Sequence, residues 1–251
     1  MVEIRIYLRN PAAVGFTLAF PLMMLVLFAS VFHGKVKGTD IDYSQVFVAG
    51  IIGSSIMSVS FVGLATGIVV DRDAGVLRRL ATTPVPRSAY FIGKMISSLA
   101  LAFLGTVVCM IAGAVLFGLD LPTSPGRWIT FVWVLVLGVG AATAMAVVVG
   151  GRITSPKSAP AVVNLPFVAL QFVSGVFVPP DQLPKGLYQA AGIFPLRWIG
   201  QGMRSVFLPD AFQQVEPTGS WQHPMVALVL AGWIVFGLVA ARLTFRWFDR
   251  H

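Results

Sequence analysis

The residues able to do chemistry are sparse: ten acids, three histidines and one cysteine in 251 positions. A zinc site needs several thiols or imidazoles at set spacing, and Cys109 stands alone inside an apolar run. No His-Glu-x-x-His pair is present to hold a metal beside a general base, and no Gly-x-x-x-x-Gly-Lys-Ser/Thr loop to cradle phosphates. The sequence therefore predicts no catalytic residue, no metal and no cofactor in this chain. The remaining polar chemistry falls in three places. A charged loop reads DRDAGVLRRLATTPVPRSA over residues 71–89. Asn164, Gln171 and Ser174 interrupt an apolar stretch, and Arg197, Gln201 and Arg204 recur at helical spacing further on.

The elements that must carry these groups are set by composition. The chain is 57% hydrophobic and only 11% charged, against about 25% charged in a soluble domain. Too little polar surface exists to cover a soluble fold, and disorder requires the opposite composition. Six apolar stretches, roughly 11–32, 44–70, 90–118, 128–150, 159–178 and 224–245, are each long enough to cross a bilayer. The predicted fold is all-α: a polytopic membrane protein with six transmembrane helices, forming a single transmembrane domain over 1–251.

The formal charge of +8 fits lysines and arginines held at a cytoplasmic face better than a nucleic-acid surface. With both termini cytoplasmic, twelve of the 18 basic residues fall on the inner side, so that orientation is expected at the cell membrane. The centres of all six stretches lack Asp, Glu, Lys, Arg and His. Ion-coupled transporters usually keep such a residue at mid-membrane, despite its cost of about 2.5–3.5 kcal/mol. Energy for any uphill movement would then come from a partner. A passive channel would need a polar ring, and none is found. A membrane scaffold without a pathway satisfies the same composition.

The 71–89 loop reads as a short amphipathic helix. Asp71 and Asp73 suit a helix N-terminus, Arg78 and Arg79 the last turn, and Pro84 the stop. Leu77, Leu80 and Ala81 fall on one face, and Ser88 could cap the next helix. On the residues alone it is equally an interfacial helix or a docking helix for a partner.

In the fifth stretch Asn164 and Gln171 are seven apart, with Ser174 three further on, so they share a face. That face either lines a pathway or bonds between helices; Phe167 is core or pathway wall. Gly50, Gly53, Ser54 and Ser58, and Gly138 with Ala141 and Ala142, form stripes suited to close helix packing. Beyond Pro179-Pro180, residues Leu196, Ile199, Met203, Val206 and Phe207 occupy one helical face, with Arg197, Gln201 and Arg204 opposite. The residues alone favour an interfacial helix with snorkelling arginines there.

Three segments carry a resemblance. Asp71-Arg72-Asp73 followed by Gly75, Leu77, Leu80, Pro84 and Gly93-Lys94 resembles a region of type 2 ATP-binding-cassette (ABC) exporter permeases. Arg9-Asn10-Pro11 before an apolar run is similar to that family's first span, although only ten residues precede Pro11, fewer than usual there. Ser174-Gly175-x-Phe177-x-Pro179, then Leu183-Pro184, then Pro195 with Arg204, is similar to its outer segment. The daunorubicin-resistance-like branch is the nearest in pattern.

The resemblance implies a cytoplasmic coupling helix between helices 2 and 3, with Asp71, Arg72, Asp73, Gly75, Leu77, Arg78, Arg79 and Leu80 meeting an ATPase subunit. It implies short re-entrant outer helices between helices 5 and 6, with Pro179, Pro195, Arg197 and Arg204 at an outer gate. With it, Asn164, Phe167, Gln171 and Ser174 are expected to line the pathway. The implied partners are a cytoplasmic ATPase subunit with a phosphate loop, carrying ATP and magnesium, and a second permease copy or a similar permease. The implied activity is export of an amphipathic drug, natural product or lipid-like molecule, with a lipid-linked glycan as the other cargo.

Overall fold

The computed structural model describes residues 21–244, except 29, 33, 37 and 84–86. Among the described residues all regular structure is helical, with one isolated bridge between Lys35 and Asp42 in place of any strand. The Arg9-Asn10-Pro11 segment and the start of the first apolar stretch lie outside the described residues.

α1 covers helical positions within 21–31. Gly34 and Gly38, at φ of 105° and 79°, then turn the chain through a tight loop. α2 runs from Tyr43 to Asp73, 31 residues or about 46 Å. It outreaches the roughly 30 Å hydrocarbon layer and carries its last turns beyond it. Within it, Ser58–Gly63 is wound as a π-helix. α3 (Val76–Ala81) follows, then α4 (Arg87–Phe117) and α5 (Pro125–Gly150). Pro125 sits in the first turn of α5, where its missing N–H costs nothing, and Ser124 caps the helix by accepting from the Arg127 N–H. α6 is Ala159–Val173, α7 Lys185–Ala191, α8 Pro195–Phe207 and α9 His223–Thr244.

Among the described residues, four helices are long and apolar enough to cross a membrane: α2, α4, α5 and α9. The expected fifth span is shorter than its apolar run. α6 has 15 residues, about 22 Å at 1.5 Å per residue. Ser174 and Gly175 end it, the glycine at φ 76°, and 176–179 continues as buried non-helical chain.

α2 is the axis of the molecule: 83% of its apolar window is buried, against 28% for α4 and 17% for α9. The small-residue stripes explain how neighbours approach it. A Cβ on Gly53 would sit 3.1 Å from the Gly200 Cα, so α2 and α8 touch backbone to backbone. Gly150 of α5 lies equally close to the Ala65 backbone of α2, and Gly138 makes room for the Ile199 side chain. Every residue of α8 is buried, so this 13-residue helix is enclosed by the longer ones.

Candidate functional site

The charged loop resolves into two elements with different jobs. Asp71, Arg72 and Asp73 end α2; they do not begin the next helix as the sequence suggested. The break comes at Gly75, whose φ of 72° is left-handed backbone that glycine adopts without strain. Its N–H bonds the Arg72 carbonyl at 3.1 Å and its own carbonyl accepts from Arg79 at 3.1 Å, so one residue closes α2 and opens α3. α3 ends at Ala81, where the Thr82 and Thr83 hydroxyls donate to the Arg79 and Leu80 carbonyls. Ser88 lies inside α4, which begins at Arg87, and is not its cap.

The side chains divide likewise. Asp71 accepts from the Tyr90 hydroxyl at 2.8 Å and pairs with Lys94 Nζ at 2.8 Å, both on α4. Arg72 is buried and donates to the carbonyls of Gly151 and Ile153, just past the end of α5. Asp73, Val76, Arg78 and Arg79 are exposed, Leu77 is fully buried and Leu80 half-buried. The eight residues expected at a partner contact are thus two inward anchors, one sunken leucine, the half-buried Gly75 and Leu80, and the exposed Asp73, Arg78 and Arg79.

The fifth-stretch residues do not all share one environment. Phe167, Gln171 and Ser174 are buried, while Asn164 is exposed and donates to the Pro160 carbonyl of its own helix at 2.8 Å. The spacing itself holds, since 164 and 171 both sit at the edge of the stripe Ala159, Val163, Phe167 and Leu170. Only Gln171 has a neighbour over it: Ser54 of α2 donates to its Oε1 at 2.5 Å. The Gln171 amide nitrogen and the Ser174 hydroxyl are buried without a hydrogen-bond partner. Ser54, Ser58, Phe167, Gln171 and Phe177 meet Met24 of α1 around a small gap.

The 179–223 segment departs most from a surface helix. Pro179 and Pro195 are buried. Arg204 is 0% exposed, so it cannot snorkel. Its Nε donates to Glu216 Oε1 at 2.6 Å, Nη1 to the Gly175 carbonyl at 3.0 Å and Nη2 to the Tyr188 hydroxyl at 3.1 Å. Tyr188 in turn donates to Glu216 Oε2 at 3.1 Å. Arg197 lies over the Tyr188 ring at 4.1 Å and the Trp198 ring at 4.6 Å. On the polar face of α8, Arg204 is satisfied wholly by protein, whereas Arg197 Nε and Gln201 Oε1 are buried without a hydrogen-bond partner. Tyr188 and Glu216 are not singled out by the sequence, and Ser54 stands there only in a small-residue packing stripe. Glu216 had a signal: it is one of two glutamates in the chain, the other being Glu3.

A half-open cleft of about 660 Å³ lies at the Tyr43 end of α2, lined by Gly38, Thr39, Tyr43, Asp181, Gln182, Gln214 and Val215. Tyr43 donates to Asp181 across it at 3.4 Å.

With α8 enclosed by three of the membrane-length helices, α2, α5 and α9, the comparison with known proteins decides the class. The profile of the ABC-2 type transporter membrane family matches residues 1–208, most of the chain. The chain belongs to the ABC-2 type transporter family. It is 24% identical over 207 residues to the putative transport permease YvfS of Bacillus subtilis, covering 80% of this chain and 81% of the relative. It is 26% identical over 163 residues to the linearmycin resistance permease protein LnrN of the same organism. That match covers 63% of this chain and 41% of LnrN.

As an ABC-2 permease this is a multi-pass membrane protein and a membrane transport subunit of a family that works with a partner ATPase. Its three polar groups are all tied to one helix. α2 ends in the Asp71-Arg72 anchors, carries Ser54 against Gln171, and backs onto α8 through Gly53.

Proposed function

We propose that this chain is the membrane-spanning subunit of an ABC exporter, moving an amphipathic drug, natural product or lipid-like molecule out of the cell. ATP is hydrolysed with magnesium by a separate cytoplasmic subunit, and two permease copies, identical or similar, enclose the pathway. The observation that carries this reading is the exposed α3 helix at the end of the most buried membrane helix. Val76, Arg78 and Arg79 face outward while Leu77 is sunk into the fold, which suits a surface that a soluble partner grips.

The remaining assignments follow from this orientation. The Asp73 end of α2 is cytoplasmic, as are both termini, and the chain acts as one six-span permease domain. α1 with the residues before it, and α6 with 174–178, supply the two spans beyond the four long helices. α7 and α8 dip back from the outer side. Gly200 meets α2 at Gly53, ten residues in from Tyr43, and Gly202 meets α5 at Val134, nine in from Pro125. Both contacts lie about 14–15 Å below the helix ends, near mid-membrane. Phe167, Gln171 and Ser174 line the pathway on the α2 side, with Asn164 at its inner rim; Pro179, Pro195, Arg197 and Arg204 belong to the outer gate. The resistance named for LnrN supports a drug or natural-product cargo.

The test is purification of the tagged chain from native membranes, followed by an ATPase assay. A co-eluting phosphate-loop subunit that hydrolyses ATP is expected, and Arg78→Glu with Arg79→Glu should reduce its recovery by about tenfold. Elution alone, or with other membrane proteins only, would overturn the exporter reading in favour of a scaffold.

A further inference from the structure

Arg72 lies inside the charged motif, yet its guanidinium points away from any partner. It is 8% exposed, and its two terminal nitrogens reach the carbonyls of Gly151 and Ile153, some 80 positions along the chain. Those carbonyls lie past the end of α5, where the chain leaves the helix and turns toward α6. Arginine suits this place because its planar fork presents two separate nitrogens to two acceptors in a fixed geometry, where a lysine offers a single point-like ammonium. The preceding residue does the same toward the other side, where Asp71 takes both Tyr90 and Lys94 of α4. Backbone carbonyls left bare at the end of a helix need donors, and here a side chain of another helix supplies one.

We propose that Arg72 is a positioning residue that anchors the α5–α6 connection to the end of α2, so that displacement of α3 is passed directly to α6. This rests on the exporter reading for its consequence, and divides the motif by role. Asp73, Arg78 and Arg79 meet the ATPase. Arg72 and Asp71 never touch it; they distribute its push, Arg72 to α5 and α6 and Asp71 to α4. α6 carries Phe167 and Gln171, so the anchor ties the cytoplasmic end of α2 to the start of the pathway helix, as the Ser54–Gln171 bond ties the two helices further along. Partner recognition and motion of α6 are then separable by substitution within one nine-residue stretch.

The experiment uses nitroxide labels on single cysteines at exposed Thr83 or Lys157 in a Cys109→Ala background. Spectra are taken on the purified full chain and on its complex with the co-purified ATPase, without nucleotide and with ATP and vanadate. In the otherwise unaltered protein both labels should respond to nucleotide. In Arg72→Ala, and in the milder Arg72→Lys, ATPase recovery should stay within about twofold and the Thr83 label should still respond. The Lys157 label should become at least twofold more mobile without nucleotide and stop responding to it. An unchanged Lys157 response in both variants overturns the anchor. Loss of the ATPase from Arg72→Lys as complete as from Arg78→Glu with Arg79→Glu makes Arg72 a partner contact and also overturns it. If no ATPase co-purifies at all, the exporter reading fails. The nucleotide-free comparison then still decides the anchor, because equal Lys157 mobility with and without Arg72 would refute it.

Discussion

Replacing Arg204 with methionine should destabilise the protein severely. The side chain is fully buried and meets Glu216, the Gly175 carbonyl and the Tyr188 hydroxyl. Methionine fills much of the volume but strands the Glu216 carboxylate with Tyr188 as its remaining donor. Removing one partner of a buried ion pair costs about 3–5 kcal/mol. For a protein of this size about 2–4 °C of Tm is lost per kcal/mol, so the expected drop is about 6–20 °C. The assay is built in: Cys109 is the only cysteine and is 2% exposed, so a fluorogenic maleimide reports unfolding in detergent. Arg204→Met combined with Glu216→Leu should recover most of the loss, since replacing a whole buried pair by apolar groups is often neutral. A single variant that melts within about 2 °C of the parent, or a double variant no better than the single, would refute the reasoning.

Other substitutions test the packing and the break between α2 and α3. Gly53→Ala should cost about 1–3 kcal/mol, because its Cβ meets Gly200 backbone at 3.1 Å, whereas Gly200→Ala meets nothing closer than 3.5 Å and should melt normally. Gly150→Ala should be worse than Gly138→Ala, since the first runs into the Ala65 backbone and the second into a flexible Ile199 side chain; the same thiol assay ranks them. Gly75→Ala finds open space but holds φ 72°, so it should cost about 1–2 kcal/mol of strain and be relieved by re-aiming α3. ATPase recovery should therefore fall while the folded fraction, read by size-exclusion profile, stays near the parent's.

The membrane helices were legible because a long apolar run has few alternatives. Five of the six expected stretches coincide with helices beginning within a few residues of the expected start; the first is described only from 21. The fifth ran too long because hydropathy does not register that Gly175 turns the chain. The helix dipole favours acids at a helix start, which is where it places Asp71 and Asp73. They close α2 instead, since Tyr90 and Lys94 answer Asp71 from α4, a contact that spacing along one helix does not reveal. Asn164 and Gln171 show the same limit: periodicity gives the face, but only the position of Ser54 decides which one is covered. The family pattern marked residues 174–204 as a unit, while amphipathicity alone pointed to a water-facing surface for Arg197 and Arg204, which are buried. Their partners Tyr188 and Glu216 come from elements that local sequence does not join, while Trp198 lies beside Arg197 on α8 itself.

The enclosure of α8 also orders the birth of the protein. On the reading that puts α8 at membrane depth, a short segment with two arginines carries an insertion penalty of about 5–7 kcal/mol, so it would not enter a bilayer unaided as it leaves the ribosome. Its carboxylate lies twelve residues downstream, at Glu216, and is made only after α8 itself is complete. On that reading the helix waits, docking between α2 and α5 once those are in place and the following loop has emerged. A nascent chain halted before Glu216 would hold every earlier helix and still leave Arg204 without its counter-charge.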